Sequence, residues 1–434
     1  MDAPRRAFSA VLTLLLTLAS GAARAGGPIT AKVAQDTITV RAEGLSPAER
    51  FLLVFTRQSA GISEWYDLDR DPAMRVNLAP HGDTTGYALF QNRIEMLSNA
   101  KPIALFPEAA KQFALVESNA VRAVVEIGGR MTTASGEFPG EKFRKEIKAF
   151  TGRRQRGPER PRYVTRFTVT ATGRIYIRHV LKFKGQPMVL ASTRMILATA
   201  PAKDVTALNE HPREIDAFIE PASFLLHHGG GDDFAASALL VSEAHKYRTD
   251  WIGQLVTVDR NRRGWVRSAF TLHAEPNLVQ AGDVAWNFML QLEPSNVDSR
   301  ESAALYARDY RKPATITFVG GHGMRRIKEL EDAQFDGFAE GRGAYVMSAD
   351  GKPTVLMNFE AGTLSRFNPV FEIHDWKRAL PERIHVDGEV RRRGVHYHAH
   401  LDGGRLMIQY LGALPPGAHM IRVDGEVAKT RLIR

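Results

Sequence analysis

Cysteine is absent from all 434 residues. That excludes disulfide bonds, thiolate zinc sites and a cysteine nucleophile, so a stable fold must come from buried apolar area. Long hydrophobic runs are also missing: the longest, Phe8 to Leu18, falls short of the roughly 18 apolar residues a membrane helix needs. No P-loop, GxGxxG fingerprint or serine nucleophile elbow occurs in a convincing context, and no repeat of fixed period is evident. Asp67 to Asp71 lacks the glycine and terminal glutamate of an EF-hand and reads as a turn with Asp71 capping ahead of Pro72. Nothing in the sequence calls for a cofactor or a metal ion.

The apolar run has an address written around it. Arg5 and Arg6 precede it and Ala23-Arg24-Ala25 follows it, the pattern of a cleaved signal peptide over residues 1–25. A periplasmic or secreted protein beginning near Gly26 is expected. The net charge of +10 stays clearly positive once Asp2, Arg5, Arg6 and Arg24 are set aside. Such an excess favours polyanions, and in an exported chain without a nucleic-acid module an acidic polysaccharide or an anionic outer-surface lipid is the natural partner. A soluble protein from an arginine-rich proteome would carry the same charge.

Most of the chain has the period of strands. Asp36 to Ala42, Phe51 to Thr56, Val121 to Ile127, Tyr163 to Thr170, Arg174 to Lys184 and Met188 to Ala198 are short runs of Val, Ile, Thr and aromatics. Leu255 to Val258, Trp265 to His273, Ala285 to Glu293, Ala314 to Val319, Ala344 to Ser348, Thr354 to Phe359 and Val370 to Ile373 repeat the pattern. Ala171-Thr172-Gly173 reads as a hairpin turn. Helix is expected over Ser299 to Tyr310, with helix-compatible spacing at Asp233 to His245 and a turn or two at Pro107 to Phe113. Thr132 to Pro161 and His227 to Asp233 read as polar loops. The expected class is therefore all-β, with one unit over residues 26–312 and a smaller one over 313–434.

Three segments carry a resemblance. Phe51 to Arg57 followed by Ala60 to Leu68, Glu117 to Glu126, and Tyr163 to Arg178 together resemble the galactose-mutarotase-like supersandwich of polysaccharide lyases and glycosidases. After the helix, Asp336 to Phe338, Gly343 to Val346, Asn368 to Ile373 and Gly404 to Leu411 are similar to a small β-sandwich often appended to such chains, where it is structural or glycan-binding. The resemblance implies a large antiparallel β domain followed by a β-sandwich, and a carbohydrate-related activity. No segment could form the α/α toroid that carries the catalytic residues of many such enzymes, so any site must lie on the β framework.

The densest usable chemistry lies between Leu226 and Arg260. His227, His228, His245 and Tyr247 can exchange protons, Lys246, Arg248 and Arg260 can neutralise a carboxylate, and Trp251 offers a stacking face. Cleavage of a uronic acid chain by β-elimination needs these roles, with His245 and Tyr247 as the first candidates for proton transfer and Arg248 as the charge neutraliser. A solvated loop and helix would contain the same residues. On the strand from Arg174, alternation places Arg174, Tyr176 and Arg178 on one face, suited to a glycan cleft or to ordinary solvent exposure. The basic stretch Lys142 to Arg162, with Tyr163 and Phe167 beside it, could grip a polyanion or simply be solvated. His396, His398 and His400 alternate on a run that reads more readily as an exposed strand face than as a metal site. The expected activity is a polysaccharide lyase, with a glycoside hydrolase or a non-catalytic glycan-binding or polymer-assembly protein as alternatives.

Overall fold

The structure, a computed structural model, describes residues 28–43, 50–79, 89–98, 101–153, 159–184, 188–199, 202–208, 224–229, 236–242, 255–260, 266–273, 277–279, 282–294, 299–325 and 336–425. For the strands between 202 and 279 it describes the backbone only. The chain is all-β. A four-stranded sheet, Ile29–Val33, Thr37–Glu43, Arg50–Thr56 and Gly61–Asp67, precedes a 14-stranded sheet that runs from Phe90–Ser98 to Gly282–Pro294. Every pairing within these two sheets is antiparallel. Beyond them, a five-stranded and a six-stranded sheet form a C-terminal sandwich.

Alternation decides how these layers meet. On the central strands Arg162–Thr170, Arg174–Phe183 and Gly282–Pro294, the side chains Phe167, Val169, Ile175, Ile177, Phe288 and Leu290 share one core with Ile38, Val40, Leu53 and Phe55 of the four-stranded sheet. The opposite face of the same strands carries Thr168, Arg174, Tyr176 and Met289, and there the C-terminal unit docks. Tyr176 and Met289 belong to the second core, alongside Phe338, Tyr345, Phe359 and Phe371. Tyr345, Met347, Phe371 and Ile373 of the six-stranded sheet point into the sandwich, whereas its Ala344, Val370 and Met407 pack on Val121 of the first unit. That sheet is thus buried on both faces, and Ala344–Ser348 has no exposed position.

Helix α1, Gly140–Thr151, lies where the sequence reads as a polar loop. Phe143 and Ile147, four residues apart and both buried, form its inward stripe within a surface of Lys, Arg and Glu. Gly152 ends it in the left-handed conformation, its N–H donating to Lys148 O. Helix α2, Ser299–Arg311, is the helix expected there. It belongs to the second core through Ala304, Ala307 and Tyr310.

Two helical expectations are overturned. Lys101–Pro107 and Gln112–Ser118 are strands, and Ala236–Ser242 is a strand paired on both sides. Short apolar runs do not distinguish a buried strand from a helix by period alone, and sheet pairing decides it. No helix of the described residues is long and apolar enough to cross a membrane.

One histidine is committed to the first core. His179 accepts or donates at Thr165 Oγ1 over 2.8 Å and stacks between the rings of Tyr163 and Trp286. Burial pulls its pKa down to about 3, so the folded protein keeps it neutral while the unfolded chain takes up a proton near pH 6.5. Its contribution is therefore fully present above about pH 6.5 and is lost as pH falls toward the folded value, at up to about 1.4 kcal/mol per pH unit. Denaturant unfolding of His179→Gln between pH 7 and pH 4 should show a shallower acid-side decline than the parent; parallel curves would disprove the assignment.

Gly343 marks the docking geometry. It adopts φ +61°, and a Cβ there would meet the Tyr176 ring at 2.0 Å. Gly343→Ala should destabilise by on the order of 2–3 kcal/mol, read as a lowered thermal midpoint. An unchanged midpoint would mean that the two units are not packed as described.

Candidate functional site at the junction of the two units

Of the residues picked out by sequence, His245, Tyr247, Arg248 and Trp251 lie outside the described residues. His227 and His228 sit inside the strand Phe224–Gly229 rather than in a loop; His227 pairs with Val205 and Ala238, and His228 with Asp204. Arg260 closes the strand Leu255–Arg260 opposite Val266.

The Arg174, Tyr176, Arg178 face requires a correction. Alternation holds, but the face is not open: Arg174 and Tyr176 are each only 4% exposed beneath the C-terminal unit. Arg174 Nη1 donates to Asp309 Oδ2 of α2 over 3.0 Å, its Nε donates to Gln291 Oε1, and its guanidinium lies 5.0 Å from the Tyr306 ring centre. Burial pushes the Tyr176 hydroxyl above its ordinary range, with Arg174 opposing. The space left between these residues and Tyr310, Phe338 and Phe367 is about 10 Å³, roughly one water at most. Arg178 remains half-buried, with Gly341 packed on its Cβ.

Tyr163 and Phe167 are not surface aromatics either. Both are buried in the first core, and Tyr163 donates its hydroxyl to Glu108 O. His396 precedes the strand Tyr397–Asp402 in a turn and accepts the Arg392 N–H at Nδ1, while His398 is buried, so the three imidazoles do not form one exposed face. Asp67 and Asp71 cap backbone N–H groups of their own turn. Among the described residues, no group of three or more His, Asp or Glu is placed to hold a metal ion.

What the junction does assemble is a charged cluster that the sequence reading missed. Glu117 ends the strand Gln112–Ser118 and Arg122 starts Arg122–Thr132. Between them, Asn119 accepts the N–H groups of Val121 and Arg122 at its Oδ1, fixing the turn so that Arg122 reaches Glu117 through Nε and Nη2, both at 3.1 Å. The outer face of Val370–His374 supplies Glu372 and His374, two residues apart. Glu372 has no exposed side-chain surface, and four groups surround it: Arg122 Nη2 at 2.9 Å, His374 Nε2 at 3.0 Å, Arg342 Nη1 at 3.2 Å and Arg405 Nη1 at 3.9 Å. Arg405 also reaches Glu117 at 3.4 Å.

Burial opposes a charge on Glu372. The hydrogen bond from His374 and the guanidinium groups of Arg122, Arg342 and Arg405 outweigh it and hold the carboxyl well below the usual carboxylate range. Three of these partners reach solvent: the side chains of Arg342 and Arg405 are 27% exposed and that of His374 is 26% exposed. Where the His374 Nε2 proton is donated to Glu372, Nδ1 carries the lone pair, the arrangement of a base oriented by a carboxylate. Three arginines against two glutamates leave a net positive site. Its sequence signals were the strand pair Glu372 and His374 and the Gly341-Arg342-Gly343 turn. Neither reveals that residues more than 200 positions apart converge.

No protein-family model and no curated protein sequence matches this chain. Solved structures similar to it include a polysaccharide lyase (8% identity, 94% of this chain and 47% of that one, TM-score 0.34) and a heparan sulfate lyase mutant from Pedobacter heparinus (9% identity, 81% and 44%, TM-score 0.36). An aldose epimerase homologue from C. elegans aligns at 8% identity over 57% of this chain and 96% of its own, with a TM-score of 0.30. The chain spans about half the length of the two lyases. At these identities and TM-scores, neither residue roles nor activity transfer from them.

Because the folded protein keeps Glu372 ionised to lower pH than the unfolded chain does, its contribution is fully present above its unfolded pKa of about 4.3 and is lost as pH falls below that value. Glu372→Gln leaves three guanidinium groups without their shared counter-ion and should cost about 3–5 kcal/mol at pH 7. The gap between variant and parent in denaturant unfolding should narrow as pH is lowered from 5 to 3. A gap independent of pH would show that the charge is not what matters.

Proposed function

We propose that this is an exported carbohydrate-active enzyme, a lyase that cleaves an acidic polysaccharide by β-elimination. The observation that carries the reading is the lip of the charged cluster, where His374, backed by Glu372, stands beside the partly exposed Arg342 and Arg405. In the elimination, a base takes the proton beside the uronate carboxylate, the bond from C4 to the leaving oxygen breaks, and a double bond forms between C4 and C5. Arg342 and Arg405 suit the carboxylate, whose charge grows as the proton leaves, and His374 Nδ1 suits the proton. The leaving oxygen takes up a proton, a role for which Tyr247 is the sequence's candidate. Export rests on Arg5, Arg6, the apolar run to Leu18 and Ala23 to Ala25.

The alternative of a hydrolase working through Glu117 and Glu372 fits this cluster less well. A nucleophilic carboxylate must reach the sugar, and Glu372 is enclosed and shared among three arginines.

Purified protein incubated with uronate-containing polymers should generate ultraviolet absorbance from the unsaturated product and new reducing ends together. His374→Ala should lower that rate about 10²–10⁴-fold with folding intact, and Tyr247→Phe should lower it as well. Full activity in His374→Ala would remove His374 from the mechanism. Reducing ends without absorbance would replace the lyase with a hydrolase, and binding without product would replace both with a glycan-binding protein.

A further inference from the structure

The outermost sheet of the C-terminal sandwich has one face in the second core and one that the described residues leave exposed or half-exposed. Val355, Met357, Ile384, Val386, Ile421 and Val423 point inward. Their neighbours in sequence point outward, and register aligns them: Leu356 pairs with Arg422, and Arg422 with His385, giving one row across three strands, Thr354–Gly362, Gly417–Asp424 and Arg383–Val386. A cleft of about 500 Å³ lies over this row, lined by His322, Thr354, Leu356, His385, Met420 and Arg422, with Gly388 at its edge. That volume is in the range of small-ligand sites and larger than one hexose ring.

The cleft is built rather than incidental. After Thr315–Phe318 the chain turns through Gly320, Gly321 and Gly323, all at positive φ, and passes to Met324–Arg325, which pairs with Ala344–Ser348 of the six-stranded sheet. His322 O accepts the N–H of Leu356, which pins the turn at the end of the row. His322 Nδ1 is buried with no hydrogen-bond partner among the described residues, so a ligand in the cleft would meet the rest of its ring. At the centre, Arg422 is oriented through its Nε by Asp424, which Thr354 Oγ1 also contacts. This leaves the terminal guanidinium nitrogens of a 55% exposed side chain for a ligand. Leu356 and Met420 contribute apolar surface to the cleft, and Met420 is itself exposed.

We propose that this cleft is a second binding site, for the carboxylate-bearing ring of a hexuronic acid. Arg422 takes the carboxylate, the imidazoles of His322 and His385 bond ring hydroxyls from either side, and Leu356 and Met420 receive the apolar face of the ring. The choice of a uronate rests on the acidic-polysaccharide reading above; the existence of an anion-plus-ring site rests on the cleft alone.

The test uses the full chain carrying His374→Ala, so that turnover plays no part, and follows the imidazole resonances of His322 and His385 during titration. The probes are glucuronate, a uronic acid tetrasaccharide and glucose. Saturable shifts with glucuronate and the tetrasaccharide but not with glucose, weakened at least tenfold by Arg422→Ala and by His385→Ala, are expected. Shifts with the tetrasaccharide alone identify a polymer rather than a free sugar as the source of the ring, with the site intact. No saturable shift with either acid, equal affinity for glucose, or unaltered affinity in Arg422→Ala would overturn the proposal. Because none of these outcomes depends on product formation, loss of the lyase reading leaves the result interpretable.

Discussion

The seating of the C-terminal unit on the large sheet, and with it the charged cluster between them, centres on one buried carboxylate. Asp309, on α2, accepts Arg174 Nη1 from the large sheet and the backbone N–H of Phe367 from the C-terminal unit, and Arg366 Nη1 lies 3.5 Å from its other oxygen. Arg366 in turn donates to Ala361 O and Lys312 O. Two guanidinium groups that would otherwise be stranded in the interior are neutralised at a single point, and that point is reached only when the two units meet in one orientation. Forming such a buried arrangement gains little net stability after desolvation, whereas removing the carboxylate would leave uncompensated charge. Its effect is on where the units sit, more than on how tightly the chain folds.

Fixed docking divides the junction into a closed half and an open half. Around Arg174 and Tyr176 the aromatic rings of Tyr310, Phe338 and Tyr345 fill the space to within the volume of a single water, which suits a contact meant never to open. At the other end of the same face, Glu372 is fully buried, yet its partners Arg342, Arg405 and His374 extend to the surface. A buried counter-ion with exposed partners keeps the cations oriented without quenching them. The first half is therefore architecture, and the second is where chemistry is accessible.

Much of the first unit was legible in the sequence because strands leave a period of two. The runs at Arg174, Met188 and Ala344 coincide with strands to within a residue or so, and the split of Arg174, Tyr176 and Arg178 from Ile175, Ile177 and His179 is the split observed. What alternation does not tell is what covers a face. A polar face under solvent and a polar face under another domain have the same pattern, and the second was misread as the first. Helix α1 was hidden for a related reason: Phe143 and Ile147, its inward residues among those described, sit within a basic stretch. The charged cluster was illegible in a stronger sense, since Glu117 and Glu372 become neighbours only when the two units pack together, which is a property of tertiary structure.

Layering separates the charged cluster from the cleft. The charged cluster lies between the large sheet and the six-stranded sheet, and the cleft lies on the far face of the five-stranded sheet beyond it. Sheets packed face to face sit about 10 Å apart, so the cluster and the cleft are divided by the full thickness of a sandwich. That is no less than the distance over which physiological salt screens exposed charge. Each site has to be explained by its own residues: a carboxylate held ionised by three arginines in one, and a single oriented guanidinium between two imidazoles in the other. The positive charge of the chain enters both only as a long-range bias toward anions, and selectivity lies in the local geometry.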